Sequence, residues 1–203
     1  MSIGLPGFST PATGPEAPLE MLAACHEHIE RRCASLRRLV PRLVRHGADA
    51  RARMAAASVM RCFDASAQDH HADEEESLFP ALIESMAGSD AVCMRELTRG
   101  LTAEHRALEA AWQRVRAALA GVAAGESALL APDDVEVLVN LCQRHIEREE
   151  SELLPMAARL LSDGDLAHIG RAMRERRKTG GPGSSQERAE RIALSLSIGV
   201  SES

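Results

Sequence analysis

The chain has 203 residues and a formal net charge of −6 at pH 7, with 3 Phe, 1 Trp and no Tyr. This length suffices for one domain with a core and tails, the acidic balance excludes a general nucleic-acid binder, and the few aromatic residues exclude base stacking as the main function. No apolar run approaches the roughly 18 residues that cross a membrane, so we expect a soluble single-domain protein without a nucleic-acid or membrane partner.

The N-terminus and the cysteines predict the compartment. The segment MSIGLPGFSTPATGPEAP has neither the basic start nor the apolar stretch of a signal peptide. The 5 cysteines are odd in number, scattered and without a C-x-x-C pair, a pattern typical of reduced thiols rather than disulfides or a thiolate metal site. We therefore expect a cytoplasmic protein.

Both ends of the chain differ in composition from its centre. Residues 1–17 are rich in Pro, Gly, Ser and Thr, and the segment KTGGPGSSQERAER after Arg177 is similar. Such composition predicts a flexible N-terminal segment over 1–17 and a flexible tail over 179–203. The folded part then divides into a main domain over 18–161 and a short helix over 162–178.

The sequence pattern of the central part predicts helices throughout. Apolar residues recur at steps of three and four, and no alternating strand pattern is found. Four long helices are predicted at about 18–46, 50–87, 90–120 and 132–161. A short fifth helix follows the capping-type sequence Ser162-Asp163-Gly164-Asp165.

Short breaks between these helices predict their arrangement. The turns near 47–49 and 88–89 are only a few residues long, which makes consecutive helices antiparallel neighbours, and the looser segment 121–131 is compatible with the same order. The predicted fold is all-α: an up-down antiparallel four-helix bundle with a short fifth helix at the C-terminus.

One histidine interrupts the apolar seam of each long helix. His26 lies about 21 residues before the first turn and His70 about 22 after it, and similar counts relate His70 to His105 and His105 to His145. At about 1.5 Å of rise per residue, these offsets amount to a few Å of height. The four imidazoles should therefore reach one layer of the core.

Two of these histidines belong to a phrase that the sequence repeats. HHADEEESLFP at 70–80 and HIEREESELLP at 145–155 share the pattern H-x-x-x-E-E, which places Glu74 and Glu149 one turn beyond His70 and His145 on the same face. Burying such groups without partners costs several kcal/mol, and a metal would satisfy them together. Mixed imidazole and carboxylate ligands suit iron, manganese or zinc, and six ligands are enough for two ions.

Other readings remain beside the metal site. A single histidine on an apolar seam is more often a hydrogen-bonded core residue, so a structural or partner-binding bundle with a vestigial metal site is the alternative. A ferritin-like centre is disfavoured because no histidine follows Glu-x-x.

The remaining polar candidates have secondary roles in this reading. His28 and His71 lie off their seams, which favours surface or outer positions, and His46 lies about 30 Å along its helix from His26. Outer partners or solvated groups are predicted at Glu75 and Glu150. Glu109, one turn after His105, is either a seventh ligand or an outer partner.

Four stretches together, CHEHIERR, HHADEEESLFP, AEHRALEAAW and HIEREESELLP, resemble the bacterial branch of the hemerythrin-like (HHE cation-binding) family over about 18–161. The resemblance implies a four-helix bundle around a non-haem centre of two iron ions, bridged by the carboxylates of Glu74 and Glu149. Oxygen-carrying members show H-x-x-x-H on the third helix, where this chain has His105-x-x-x-Glu109.

The function implied by this resemblance is to bind, sense or detoxify a small oxidant: O₂, NO or peroxide. The alternative within the same family is iron handling or the repair of iron centres. The predicted metal ligands are His26, His70, Glu74, His105, His145 and Glu149. Whether the centre turns over its ligand, and which protein partner it meets, stay open.

Overall fold

The structure, a computed structural model, describes residues 17–86 and 88–179 apart from the side chains of Ser89 and Thr179. Within these ranges the chain forms five helices and no strand, so the all-α prediction is confirmed. We name them α1 (Pro18–His46), α2 (residues 50–84), α3 (Gly88–Ala124), α4 (residues 132–160) and α5 (Asp163–Thr179). The predicted flexible ends, 1–17 and 179–203, lie outside the described residues except for their innermost positions.

Two of the long helices contain wider turns of π-helix without a break in the backbone. Helix α2 consists of Ala50–Arg61, a π-helical stretch at Cys62–Ala67, Gln68–Asp73, a π-helical stretch at Glu74–Leu78, and Phe79–Glu84. Helix α4 consists of Pro132–Arg148, a π-helical stretch at Glu149–Leu153, and Leu154–Leu160. Wider turns of this kind are rare and occur often at functional sites.

Local sequence signals account for the helix ends. Gly47 ends α1 with a φ of 63°, and its N–H donates to the carbonyl of Leu43. Asp49 then begins α2, because its carboxylate accepts the N–H of Ala52 at 2.8 Å. The start of α5 carries a reciprocal cap: Ser162 N–H donates to Asp165, and Asp165 N–H donates back to Ser162 Oγ.

The helices pack around two apolar clusters. Helix α1 contacts α2 and α4, helix α3 contacts the same two helices, and α5 packs on α1 and α2. The larger cluster lies toward the α1–α2 turn and includes Leu36, Leu43, Ala56, Trp112, Leu119 and Leu138. The smaller cluster lies toward α5 and includes Leu22, Leu78, Leu82, Leu101, Leu153 and Met173. The predicted site residues occupy the level between them.

Not one helix in residues 17–86 and 88–179 is both long and apolar enough to cross a membrane.

A buried ionic contact anchors α5. The Asp73 side chain is 0% exposed and contacts Arg176, while Arg177 Nη2 lies 2.8 Å from Asp73 Oδ2. Arg176 also reaches the exposed Glu76 at 2.7 Å. Because a buried charge without a partner is costly, Asp73 ties the C-terminal helix to α2.

Replacing Asp73 with Ala leaves two arginines without their buried carboxylate. We expect the free energy of unfolding of the metal-free protein to fall by about 3 kcal/mol, measured by urea denaturation followed by circular dichroism. Glu76→Ala, which removes the 55% exposed partner of Arg176, is the matched control and should cost less than about 0.5 kcal/mol. Equal losses in the two variants would show that the buried contact does not anchor α5.

Candidate metal centre

Six polar side chains converge between the two apolar clusters. They comprise one histidine from each long helix and one glutamate each from α2 and α4, and every one is at most 4% exposed: His26, His70, Glu74, His105, His145 and Glu149. The structure thus places the four histidines in a single layer, as predicted. Their assignment as metal ligands remains a prediction.

The Glu149 carboxylate lies at the centre of this layer. Its Oε2 is 2.9 Å from His26 Nε2 and 3.5 Å from His70 Nε2. Its Oε1 is 2.7 Å from His145 Nε2 and 3.8 Å from His105 Nε2. One carboxylate therefore faces two imidazoles with each of its oxygens.

The second carboxylate, Glu74, also lies between the two pairs of imidazoles. Its Oε2 is 3.2 Å from His105 Nε2 and 3.7 Å from His70 Nε2. These two histidines belong to different pairs around Glu149. Glu74 and Glu149 therefore connect the same two halves of the layer.

Three of the four histidines present a fixed nitrogen to the centre. Their Nδ1 atoms, which point outward, each lie within hydrogen-bonding distance of an outer carboxylate: His26 with Glu150 at 3.1 Å, His105 with Glu75 at 2.7 Å and His145 with Glu104 at 2.9 Å. Such a contact holds the ring orientation and makes the opposite nitrogen a better ligand. Outer carboxylates of this kind typically accompany histidines that bind metals.

The outer carboxylates have partners of their own. Arg106 Nη2 donates to Glu75 at 2.8 Å, and Arg148 Nη1 donates to Glu104 at 2.5 Å. Glu75 is an outer partner predicted from the sequence, whereas Glu104 is not among the predicted residues. The dipeptide Glu104-His105 was a signal, although Glu104 serves the histidine of the neighbouring helix rather than the one beside it in sequence.

Both central glutamates begin a π-helical turn. Phe79 N–H donates to the carbonyl of Glu74 and Leu154 N–H to that of Glu149, five residues back in each case. A proline follows in both phrases, at Pro80 and Pro155. Proline has no N–H and its ring crowds the carbonyl four residues earlier, so a wider turn relieves both problems.

The wider turn also keeps the interior face in register. Residues at steps of four rotate about 40° past each other in an α-helix. His70, Glu74, Leu78 and Leu82 nevertheless remain buried on one face across the π-helical turn. The repeated Pro thus helps to place Glu74 in the polar layer and Leu78 in the apolar cluster beyond it.

Burial and close charge shift the pKa values of the central groups in the metal-free protein. Burial lowers the pKa of His105, but its close contacts with the carboxylates of Glu149, Glu74 and Glu75 outweigh this effect and raise the pKa to about 10. Burial also lowers the pKa of His70, but Glu74, Cys25 and Glu149 together outweigh it and hold that pKa well above the ordinary value. Burial raises the pKa of Glu149, yet the imidazoles around it hold that pKa well below its usual range. Protons therefore occupy the centre when no metal does.

The donor set passes a direct test of fit to a metal. Buried atoms that make no hydrogen bond concentrate here: both oxygens of Glu74 and of Glu149, Nε2 of His105 and of His145, and Nδ1 of His70. Most of these atoms lie close to an oppositely charged group but make no hydrogen bond. Ligand atoms within 4.8 Å of one another form two groups that share Glu149: His26, His70 and Glu149; and Glu74, His105, His145 and Glu149. Both groups suit a cation that accepts imidazole and carboxylate ligands.

The other candidates from the sequence lie outside both groups. Glu109 accepts a hydrogen bond from Gln113 and is part of neither group. His46 is exposed, and His28 is half-buried on α1.

His71 lies closer to the centre than its sequence position suggested. Its ring stacks on that of His105 with centroids 3.9 Å apart. Burial and the neighbouring imidazoles lower its pKa well below the ordinary value.

Fold and site together define an all-helical protein whose interior histidines and glutamates fit a metal site. Residues 17–157 match the hemerythrin HHE cation binding domain. The chain belongs to this family, and the resemblance drawn from the sequence is confirmed. It is also 29% identical over 161 residues to an uncharacterized protein of Haemophilus influenzae, a match that covers 79% of this chain and 90% of the relative.

Removal of an outer carboxylate should weaken metal binding without unfolding the protein. For Glu104→Ala, which frees His145 Nδ1, we expect the affinity for Fe²⁺ to fall about 10- to 100-fold. Competition with a chromophoric chelator under argon measures this change. Glu96→Ala, at an exposed position of the same helix, is the control and should bind as the wild type does. An unchanged affinity in Glu104→Ala would mean that the outer contact does not support a ligand.

Metal binding at pH 7 should release protons. Carboxylates raise the pKa values of His70 and His105, whereas a bound cation requires neutral imidazoles, so we expect these rings to release protons, about two per chain. Isothermal titration in two buffers of different ionisation enthalpy measures the number. Identical heats in the two buffers would contradict the assignment of these ligands.

The raised pKa of His105 determines how the stability of the metal-free fold depends on pH. The pKa of His105 lies above its ordinary value of 6.5, so its proton stabilises the metal-free fold fully below about pH 6.5, and this contribution is lost as pH rises through about 10. The apparent affinity for the metal should accordingly increase over the same range, because fewer protons compete.

Proposed function

We propose that the chain is a non-haem di-iron protein that binds a small oxidant, O₂, NO or peroxide, in order to sense or detoxify it. The observation that carries the proposal is the division of the layer by Glu149, whose two oxygens each face a separate pair of imidazoles. A carboxylate in this position suits two adjacent ions better than one. Glu74 would be the second bridge, with His26 and His70 on one ion and His105 and His145 on the other.

Space for a small ligand adjoins the layer. A cavity of about 30 Å³ is lined by His70, His71 and His145 at one side. The rest of its wall is mostly apolar: Ile29, Phe63, Leu108, Trp112, Leu138 and Ile146. One water molecule needs roughly 10–15 Å³ of such volume, so the cavity has room for a diatomic molecule or peroxide.

The residues of this chain perform distinct tasks in that function. Bound iron would supply the change of oxidation state on which reversible binding or reduction of an oxidant depends. Glu75, Glu104 and Glu150 hold the imidazole rings so that Nε2 points inward. The apolar cavity wall excludes bulk water, which strengthens every charge interaction within the layer.

We also propose the full up-down arrangement of four antiparallel helices over 18–161, with α5 as an appended helix. The pattern of neighbours supports it, because each long helix contacts two of the others, and so do the short turns after α1 and α2. A cytoplasmic location is proposed from the five cysteines, all of which are free.

Two other functions compete with oxidant binding. A structural or partner-binding bundle explains buried imidazoles but not the outer carboxylates that aim three of them at a common centre. Iron handling or repair of iron centres would use the same ligands, and it differs in releasing the metal to a partner. The cavity beside the layer favours oxidant binding, because iron transfer does not require it.

The test begins with metal content. Protein purified anaerobically without chelator or affinity metal should contain about two irons per chain by elemental mass spectrometry, with manganese and zinc measured alongside. The reduced protein is then mixed with O₂ or NO in a stopped-flow spectrometer, with and without an electron donor. We expect a fast optical change that Glu149→Ala, lacking the shared carboxylate, does not show.

The outcomes separate the alternatives. Consumption of the oxidant with a donor indicates an enzyme, and reversible binding without consumption indicates a sensor or carrier. One zinc per chain, or no metal, would overturn the di-iron proposal. If His70→Leu keeps or raises stability and the wild type holds no metal, the structural alternative stands instead.

A further inference from the structure

His71 is a polar side chain that the proposed metal centre does not use. It follows the predicted ligand His70 on α2, and its ring lies among three other imidazoles, with centroids 3.9 Å from His105, 5.8 Å from His145 and 5.9 Å from His70. Within the described part of the chain, its ring nitrogens make no hydrogen bond. Its ring nitrogens are therefore available to a ligand or an ion at the neighbouring cation site.

The first role to consider is that of an additional ligand. Ring nitrogens of His71, His105 and His145 lie within 4.8 Å of one another, close enough to share an ion. The rings of His71 and His105, however, are stacked with only 12° between their planes. Because an imidazole binds a metal in its own ring plane, an ion bound in the plane of His105 lies out of the plane of His71 by nearly the 3.9 Å ring separation. A bond of about 2.1 Å is not possible there.

The surroundings of His71 also differ from those of the predicted ligands. His105 and His145 each have an outer carboxylate at Nδ1, which fixes their rings toward the centre. Among the described residues, His71 has no such partner, and its ring stacks on that of His105 instead. It lines the cavity together with His70 and His145, so it stands where the cavity meets the metal layer.

We propose that His71 is the polar residue that recognises the small ligand, by donating an imidazole N–H hydrogen bond to the molecule that enters the cavity. This inference rests on the proposed di-iron function. Apart from the histidines, Gln68 and Glu109, the cavity wall is apolar, so His71 contributes to distinguishing ligands that accept a hydrogen bond from those that do not. His71 is half-buried, and its ring nitrogens make no hydrogen bond within the described residues, so a ligand that accepts a hydrogen bond gains a contact that an apolar ligand does not.

The experiment uses azide, a small anion that accepts hydrogen bonds, with the iron-loaded, air-oxidised full-length protein. Azide affinity is measured by absorbance titration, and iron content is measured on the same samples. We expect His71→Leu to keep two irons and to weaken azide binding about tenfold or more. His71→Gln, which restores an N–H donor, should recover part of the affinity, and His28→Leu on α1 is the control that should change nothing.

Each other outcome overturns the inference. Unchanged azide affinity in His71→Leu would show that His71 does not contact the ligand. Loss of iron in His71→Leu, with iron retained in His28→Leu, would make His71 a metal ligand. A wild type that holds two irons but takes up no azide removes this inference and leaves the metal centre standing, whereas a wild type without iron removes the proposed function as well.

Discussion

The placement of the Glu149 carboxylate among four imidazoles is the constraint on which the rest of the structure depends. Each oxygen of this buried group faces two ring nitrogens, and the contacts at 2.7 and 2.9 Å come from opposite pairs. A carboxylate at 0% exposure is tolerable only where positive charge surrounds it, whether from protons or from a cation. All four long helices must therefore bring a histidine to this one level, which fixes their relative heights.

Most of this layer could be predicted from the sequence because helix geometry is regular. The rise per residue and the short turns determine the height of a residue in the bundle, and the steps of three and four determine its helix face. The spacing along the chain therefore predicts that His26, His70, His105 and His145 share one layer. The helix bounds of α1 agree with the prediction at both ends, Pro18 and His46. The family resemblance then rested on the same residues.

The rest could not be predicted from regular helix geometry because it depends on departures from that geometry and on contacts between helices. π-helical turns at Glu74 and Glu149 change the local rotation, and only the recurrent Pro80 and Pro155 hint at them. An α-helical count placed His71 off the seam, whereas its ring stacks on His105. Glu104 acts on a histidine of the next helix, and no spacing within one helix reveals such a contact.

The two apolar clusters pack differently against the polar layer, so its two sides differ in the space that they leave for a ligand. On the side of α5, large side chains such as Leu78, Leu153 and Met173 are fully buried against the layer, and the contact of Asp73 with two arginines holds α5 in place. On the other side, the cavity lies among apolar side chains that include the small Ala67 and Cys142 as well as the large Phe63 and Trp112. Close packing on the side of α5 leaves little room for a ligand, whereas the cavity leaves space beside the imidazoles. In the proposed function, a small molecule meets the layer from the side of His71, whereas α5, which lies beyond the residues matched by the family, packs on the opposite side.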